Sequence, residues 1–335
     1  MKNIIIRTPN FIGDTVNTTP ALELLKQEYP DAEFTLLGPG FIHDLFKHDP
    51  RITRFVTFQR GHRNYWELLK KIRKQRYDLG VLFVNTFISA LLFRLAPIRT
   101  VIGYANECRG FLLDFTLPLN RNVHYINRYA SLINRFLNKK YTYLPPLTLI
   151  YSRQPPFRFT NEGKIVGFYP GGIHKGFRHY PENYALELLQ RLSSYNVLLI
   201  GDARDNISHR EYEKKTGHPH LMNISGRTTV EELVNTIANL DLLITIDSAA
   251  MHIAAATHTP FIALLGLSTS PTSCILPKVN FGKILKIENN LICEEDFIQN
   301  ITPDLIMEQV KKILDGPKPR DRKENNGLSN ASLSA

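Results

Sequence analysis

Cysteine is scarce in this chain. Cys108, Cys274 and Cys293 are its three cysteines among 335 residues, far apart and without a C-x-x-C pair. That excludes a disulfide framework, leaves structural zinc without its usual ligand spacing, and fits a reducing cytosol. Long apolar runs are missing too. The longest uncharged stretch, 79–93, is broken by Asn85, Thr86 and Ser89; it falls short of the ~20 residues that span a bilayer and predicts a strand running into a buried helix. The apolar start, Met1 to Arg7, is too short for a signal peptide. A cytoplasmic protein is expected.

Motif absences narrow the chemistry. No G-x-G-x-x-G follows the first apolar run, which weakens a dinucleotide oxidoreductase, and no G-x-x-x-x-G-K-[ST] loop is present, which removes a P-loop kinase. Asp-x-Asp is absent, so a metal-bridged diphosphate lacks its customary carboxylate pair. Neither a cofactor nor a metal is expected.

Acidic residues are also in deficit, 31 against 41 Lys and Arg, for a formal charge of +10. An excess of this size favours an anionic partner: nucleic acid, phosphorylated lipid or an acidic small molecule. No nucleic-acid-binding module or aromatic stacking motif accompanies it, so nucleic acid is not the expected partner. The length suits two domains, each able to bury its own core.

The patterning is that of two α/β halves. In the first, β-branched runs at 2–8, 33–37, 54–58, 79–84 and 100–102 predict strands; amphipathic segments at 21–29, 65–75, 89–95 and 125–137 predict helices. From 141 to 163, Pro145-Pro146 and Pro155-Pro156 interrupt the texture. Domain boundaries are accordingly expected at 1–150 and 164–316, with a proline-rich linker at 151–163 and a disordered tail at 317–335. Strands are expected again at 164–169, 196–200, 242–246 and 261–265, and helices at 182–194, 229–239 and 303–314, the last capped by Thr302 with Pro303 at its first position. Two such halves would leave a cleft at the carboxyl ends of both sheets, where ligands bind in open α/β folds.

Three segments could carry chemistry. After the first strand, Gly13 permits a tight turn and Asp14 lies near a helix start. Its carboxylate could take a proton from a hydroxyl nucleophile, or could simply cap the helix. After the apolar strand 242–246 come Asp247, Ser248 and, four residues beyond Ser248, His252. Helix-end N–H groups, a hydroxyl and an imidazole at a strand's carboxyl end suit a diphosphate or sugar hydroxyls, though capping alone would also account for Ser248. The loop 169–181 offers Gly171 and Gly172 for close backbone approach, with Lys175 and Arg178 as phosphate cations, or could be a solvated basic loop. A fourth segment, 60–76, holds seven Lys or Arg against Glu67. Arg60 and Arg63 in its leading loop suit an anionic acceptor, while Lys70 to Arg76 form a solvated helix face that adds nonspecific attraction to an anionic membrane.

Taken together these residues resemble glycosyltransferase family 9, the heptosyltransferases of lipopolysaccharide core synthesis. Gly13-Asp14 with Thr18-Thr19-Pro20-Ala21 looks like the family's first signature, and Asp247-Ser248-x-x-Met251-His252-x-Ala254-Ala255 like its second. Gly201, Ser225-Gly226-x-Thr228, Gly266-x-Ser268-x-x-Pro271 and Ile301-Thr302-Pro303 follow in matching order. The resemblance covers about residues 1–314. It implies a GT-B fold, two Rossmann-like domains facing across a cleft, and inverting, metal-independent transfer of heptose from ADP-heptose to an inner-core glycolipid acceptor. It places the base on Asp14 and donor contacts on the Gly171–Arg178 loop, Thr228, Asp247, Ser248 and His252. A peripheral position at the inner face of the cytoplasmic membrane would follow. Ala249-Ala250 and Arg178-His179-Tyr180-Pro181 depart from the family's usual residues and bear on the donor sugar. A nucleotide-sugar epimerase or hydrolase, or a binding protein without catalysis, is the alternative.

Overall fold

The computed structural model describes residues 2–59, 65–266, 272–286 and 298–316. The chain divides into two compact units. One runs to Ile150 and includes Ser273–Ile275; the other comprises Tyr151–Thr272 and the described chain from Leu276 on.

In the first unit the strands are β1 (Asn3–Arg7), β2 (Glu33–Pro39), β3 (Ile52–Phe58), β4 (Tyr77–Leu82), β5 (Ile98–Ala105) and β6 (Phe115–Pro118), and its helices are α1 (Ile12–Val16), α2 (Thr19–Glu28), α3 (Phe41–Phe46), α4 (Tyr65–Ile72), α5 (Phe87–Leu95) and α6 (Tyr125–Phe136). The six strands are parallel in the order β3-β2-β1-β4-β5-β6. Ile4, Ile5 and Ile6 are fully buried, as a central parallel strand covered by helices on both faces requires. The strand order reverses between β1 and β4, which makes their carboxyl ends this sheet's switch point.

The second unit repeats the plan with β7 (Ile165–Tyr169), β8 (Asn196–Leu199), β9 (Leu221–Asn223), β10 (Leu242–Ile246), β11 (Phe261–Leu264) and β12 (Gly282–Leu285), in the order β12-β11-β10-β7-β8-β9, all parallel. The remaining helices are α7 (Glu182–Arg191), α8 (Asn206–Thr216), α9 (Val230–Ala238), α10 (Ala249–Ala256), α11 (Thr272–Ile275) and α12 (Pro303–Leu314). Here the switch point lies between β7 and β10. The α/β, Rossmann-like character expected of each half is what each unit has.

Local rules decide the helix starts. Thr302 caps α12 by accepting from Leu305 N–H, with Pro303 in the first turn. Thr229 and Glu232 form a reciprocal capping box on α9. The proline-rich segment 151–163, expected as a linker, groups with the second unit. Ser152 is the reason: its N–H donates to Asn235 Oδ1 at 2.8 Å and its carbonyl accepts from Asn239 Nδ2 at 2.9 Å, which fastens the segment to α9. The expected tail, 317–335, lies outside the described residues.

Candidate functional site

In the second unit, β7 and β10 are neighbours, so the segments leaving their carboxyl ends must meet. β7 leads into Pro170-Gly171-Gly172 and β10 into Asp247-Ser248. Gly171 has φ +72°, and a β-carbon there would fall 2.5 Å from Ile246 Cδ1. On Gly172 it would fall 2.5 Å from Asp205 Oδ1. Both positions therefore exclude a side chain, which lets the loop lie against the end of β10 and the start of α8. Farther along, Arg178 reaches back, its Nη1 donating to the Asp247 carbonyl at 3.5 Å. Two segments singled out independently in the sequence thus converge on one strand end.

Ser248 caps α10, accepting from Ala250 N–H at 3.2 Å while its hydroxyl pairs with that of Thr245 at 3.0 Å. Asp247 and His252 are buried. Thr228 is half-buried, one residue before the cap of α9.

Lys175 is not an open cation. Its Nζ donates to Asp202 Oδ2 at 3.1 Å, and the same oxygen lies 3.3 Å from both Arg204 Nη2 and His174 Nε2. Burial pushes the Asp202 carboxyl upward, but hydrogen bonds from Lys175, the Arg204 N–H and the Arg204 guanidinium outweigh it and hold the group well below the usual carboxylate range. A phosphate reaching Lys175 must replace Asp202 as its partner.

Asp205, fully buried at the cap of α8, accepts from Asp202 N–H at 2.8 Å through Oδ2. His174, Asp202 and Asp205 bring potential metal-ligating atoms within 4.8 Å of one another. An imidazole with two carboxylates is a reasonable donor set for a divalent ion. Lys175 and Arg204 already neutralise Asp202, however, and an ion would have to displace them.

Behind the loop, His209 is fully buried with Nδ1 2.6 Å from Ser225 Oγ. Burial lowers its pKa to about 4, against the opposing pull of the Gly171 carbonyl. Burial also lowers His179, and pushes the Tyr169 hydroxyl far upward, helped by Asp205 and Asp202. A cavity of about 310 Å³ opens beside this cluster, lined among others by Gly172, His174, Arg204, Ser208 and Tyr212. None of the groups at 202, 205 or 209 was singled out in the sequence. Their one signal is the polar run Gly201-Asp202-Ala203-Arg204-Asp205 directly after an apolar strand.

In the first unit Asp14 is the third residue of α1, half-buried, and the cap position belongs to Phe11, whose side chain makes no cap bond. Asp14 is therefore not the cap residue, although as an acid of the first turn it favours the helix start. Its charge is felt by Tyr129 of α6: burial raises that hydroxyl's pKa most, and the Asp14 carboxylate adds to the rise. The threonines that follow hold the backbone. Thr15, Thr18 and Thr19 are fully buried and donate to the Phe11, Thr15 and Val16 carbonyls at 2.8, 2.6 and 2.9 Å.

The other switch strand of this sheet, β4, ends in a loop braced by Arg109. This fully buried guanidinium donates to the carbonyls of Val84 (2.7 Å), Thr86 (3.1 Å) and Tyr104 (2.9 Å) and to Asn85 Oδ1 (3.2 Å). Burial lowers its pKa to about 10. Arg60 and Arg63 lie outside the described residues. Among the described residues, no helix is long and apolar enough to cross a membrane.

Comparison with known proteins identifies the family and the fold. Residues 65–297 match the model of glycosyltransferase family 9 (heptosyltransferase). The chain is 26% identical to the lipooligosaccharide heptosyltransferase 2 of Haemophilus influenzae, covering 93% of this chain and 99% of that one. It is likewise 26% identical to the lipopolysaccharide heptosyltransferase 2 of Salmonella typhimurium, over 93% and 98%. The solved structure of Escherichia coli ADP-heptose LPS heptosyltransferase II superposes with a TM-score of 0.82 at 24% identity, over 93% of this chain and 98% of that one. That likeness extends the fold match from single units to the GT-B class.

Proposed function

The chain belongs to glycosyltransferase family 9, the heptosyltransferases, and from that premise we propose that it moves heptose, or a related sugar, from an ADP-sugar to an anionic inner-core glycolipid of lipopolysaccharide. The observation that carries the reading is the convergence, at the switch point of the second sheet, of the Gly171–Arg178 loop with Asp247 and Ser248. The donor's diphosphate is assigned to Lys175, Arg178 and the N–H groups that open α10. Thr228, Asp247, Ser248 and His252 are assigned to the remainder of the nucleotide-sugar.

The chemistry then divides simply. Asp14 accepts the proton of the acceptor hydroxyl as that oxygen attacks the anomeric carbon. The bond to the diphosphate breaks on the opposite side, so configuration inverts. Charge building on the leaving group is met by Lys175 and Arg178 in place of a metal, with Lys175 exchanging Asp202 for phosphate. Arg60 and Arg63 are assigned to phosphate or carboxylate on the acceptor, and the enzyme works in peripheral contact with the membrane that holds it.

Consumption of ADP-heptose, measured with and without a soluble inner-core acceptor fragment, tests the proposal. Turnover should require acceptor and yield ADP with the glycosylated fragment. Equal consumption without acceptor would establish a hydrolase or epimerase instead, and none in either case a binding protein.

A further inference from the structure

A helix on the outside of a domain should be apolar on one side. In α5 both sides are. Ala90, Leu92 and Phe93 face the core and half-buried Leu91 packs against it, while Phe87 and Leu95, two turns apart, are exposed on the other side.

The neighbouring elements continue this exposed side. Leu68, Leu69 and Ile72 of α4, the inner residues of α5, and Leu112 of the turn Gly110–Leu112 share one core cluster, so the three elements form a single layer whose outer sides face away from that core together. Arg73, just past α4, donates through Nη2 and Nε to the Leu95 carbonyl at 2.8 and 3.2 Å and ties the two helix ends. Phe111 of the turn is 75% exposed, with its ring 6.3 Å from that of Phe87. Trp66, the chain's single tryptophan, is 71% exposed on α4, one turn before Lys70, with Lys74 in the turn that follows the helix.

The charge around these apolar groups has one sign. Lys70, Arg73, Lys74 and Arg99 are exposed. The acids of the layer are engaged within it: Glu67 with Lys71 at 3.1 Å, Asp114 with Arg94 at 3.4 Å, and Glu107 accepting from Phe87 N–H at 2.8 Å. Aromatic side chains in a field of Lys and Arg match the headgroup zone of an anionic bilayer, where indole and phenyl rings sit at the boundary and cations pair with lipid phosphate.

We propose that the outer face of α4, α5 and the Gly110–Leu112 turn docks on an anionic phospholipid surface, with Trp66, Phe87, Leu95 and Phe111 entering the headgroup boundary and Lys70, Arg73 and Lys74 on lipid phosphate. This deepens the reading of a membrane-held acceptor and rests on it only for its purpose. Because Trp66 is the single tryptophan, its fluorescence reports the face directly. The full-length protein is titrated with phosphatidylglycerol–phosphatidylethanolamine vesicles and with phosphatidylcholine vesicles, each carrying a brominated lipid.

The anionic vesicles should shift Trp66 emission to the blue and quench it, the effect weakening with salt; the neutral ones should do little. Lys70→Gln with Lys74→Gln should cut vesicle affinity about thirtyfold, near fivefold per cation. Phe111→Ser with Leu95→Ser should weaken binding with Trp66 still in place. Both variants should turn over a soluble acceptor fragment at the unaltered rate, which also certifies their folding. No spectral response to anionic vesicles overturns the proposal. So does a response that neither variant changes, or one that follows protein concentration without lipid, since the face would then join copies of the chain. Transfer to the soluble fragment without a vesicle response would sink this surface alone; a vesicle response without transfer would sink the catalytic reading alone.

Discussion

Gly171→Ala should be costly for two separable reasons. The backbone there has φ +72°, and placing a β-carbon in the left-handed region costs roughly 1–2 kcal/mol. That carbon would also sit 2.5 Å from Ile246 Cδ1, and relieving such overpacking costs about 1–3 kcal/mol more. The sum is about 2–5 kcal/mol, a fall in Tm of roughly 5–15 °C for a unit of this size. Gly217 supplies the control. Its φ is +58°, at the end of α8, but a β-carbon there meets nothing within 4 Å, so Gly217→Ala should cost only the backbone share, about 1–2 kcal/mol. Calorimetry on both variants isolates the steric component. Kinetics adds a second reading. Ile246 directly precedes Asp247, whose carbonyl receives Arg178 at 3.5 Å, so displacing Ile246 should raise the donor KM, whereas Gly217→Ala should leave it alone. Equal losses in the two variants, or an unchanged donor KM in Gly171→Ala, would show that the loop does not rest on β10 as described.

Asp14→Asn keeps the shape of the first helical turn but cannot take a proton; transfer should fall by well over tenfold with donor affinity nearly unchanged, and a smaller loss, under ~1.4 kcal/mol of barrier, would remove Asp14 as base. Activity should survive a chelator such as EDTA, and loss that magnesium or manganese restores would refute metal-free transfer and direct attention to His174, Asp202 and Asp205. His209, buried with its pKa lowered to about 4, binds a proton in the unfolded chain before it does in the folded one. Its contribution is therefore complete above about pH 6.5 and lost as pH falls toward 4, on the order of 3 kcal/mol in all. Urea unfolding of wild type and His209→Gln across that window should show the variant's dependence flattened; parallel curves would contradict the assignment, with His179 and Asp202 as the nearby charges to examine next.

Much of the fold was legible because burial writes itself into residue type. Leu242–Ile246 is apolar at every position but Thr245 and fully buried, and it is the strand that delivers Asp247. Thr302-Pro303 marks a helix start by rules that need no tertiary context. By contrast α8 was not expected, since Asn206–Thr216 is polar apart from Tyr212 and the exposed Ile207, and buries only His209 and Tyr212. The edge strands β6, β9 and β12, three or four residues each, offer no period to count. The site divides in the same way. Gly171, Arg178 and Asp247 announced themselves through glycine, charge and strand-end position, and the sheet order brought them together. The pairing of Lys175 with Asp202, 27 residues away, follows from β7 lying beside β8, a fact of topology that no local pattern encodes. Asp14 illustrates the reverse: the sequence leaves it between capping and chemistry, and the helix begins three residues too early for Asp14 to be its cap.

The brace at Arg109 bears on how such a site changes over time. Three of its four acceptors are main-chain carbonyls, those of Val84, Thr86 and Tyr104. A contact made to the backbone is indifferent to the side chain that residue carries. Val84 and Thr86 can therefore be exchanged for other residues without unfastening the loop they belong to, while Arg109 itself cannot be exchanged without releasing all three carbonyls and stranding the buried one of Tyr104. The scaffold thus concentrates its intolerance in one remote residue and leaves the rim of the switch point open to variation. New specificities can be tried there, one substitution at a time, on a backbone that stays where it was.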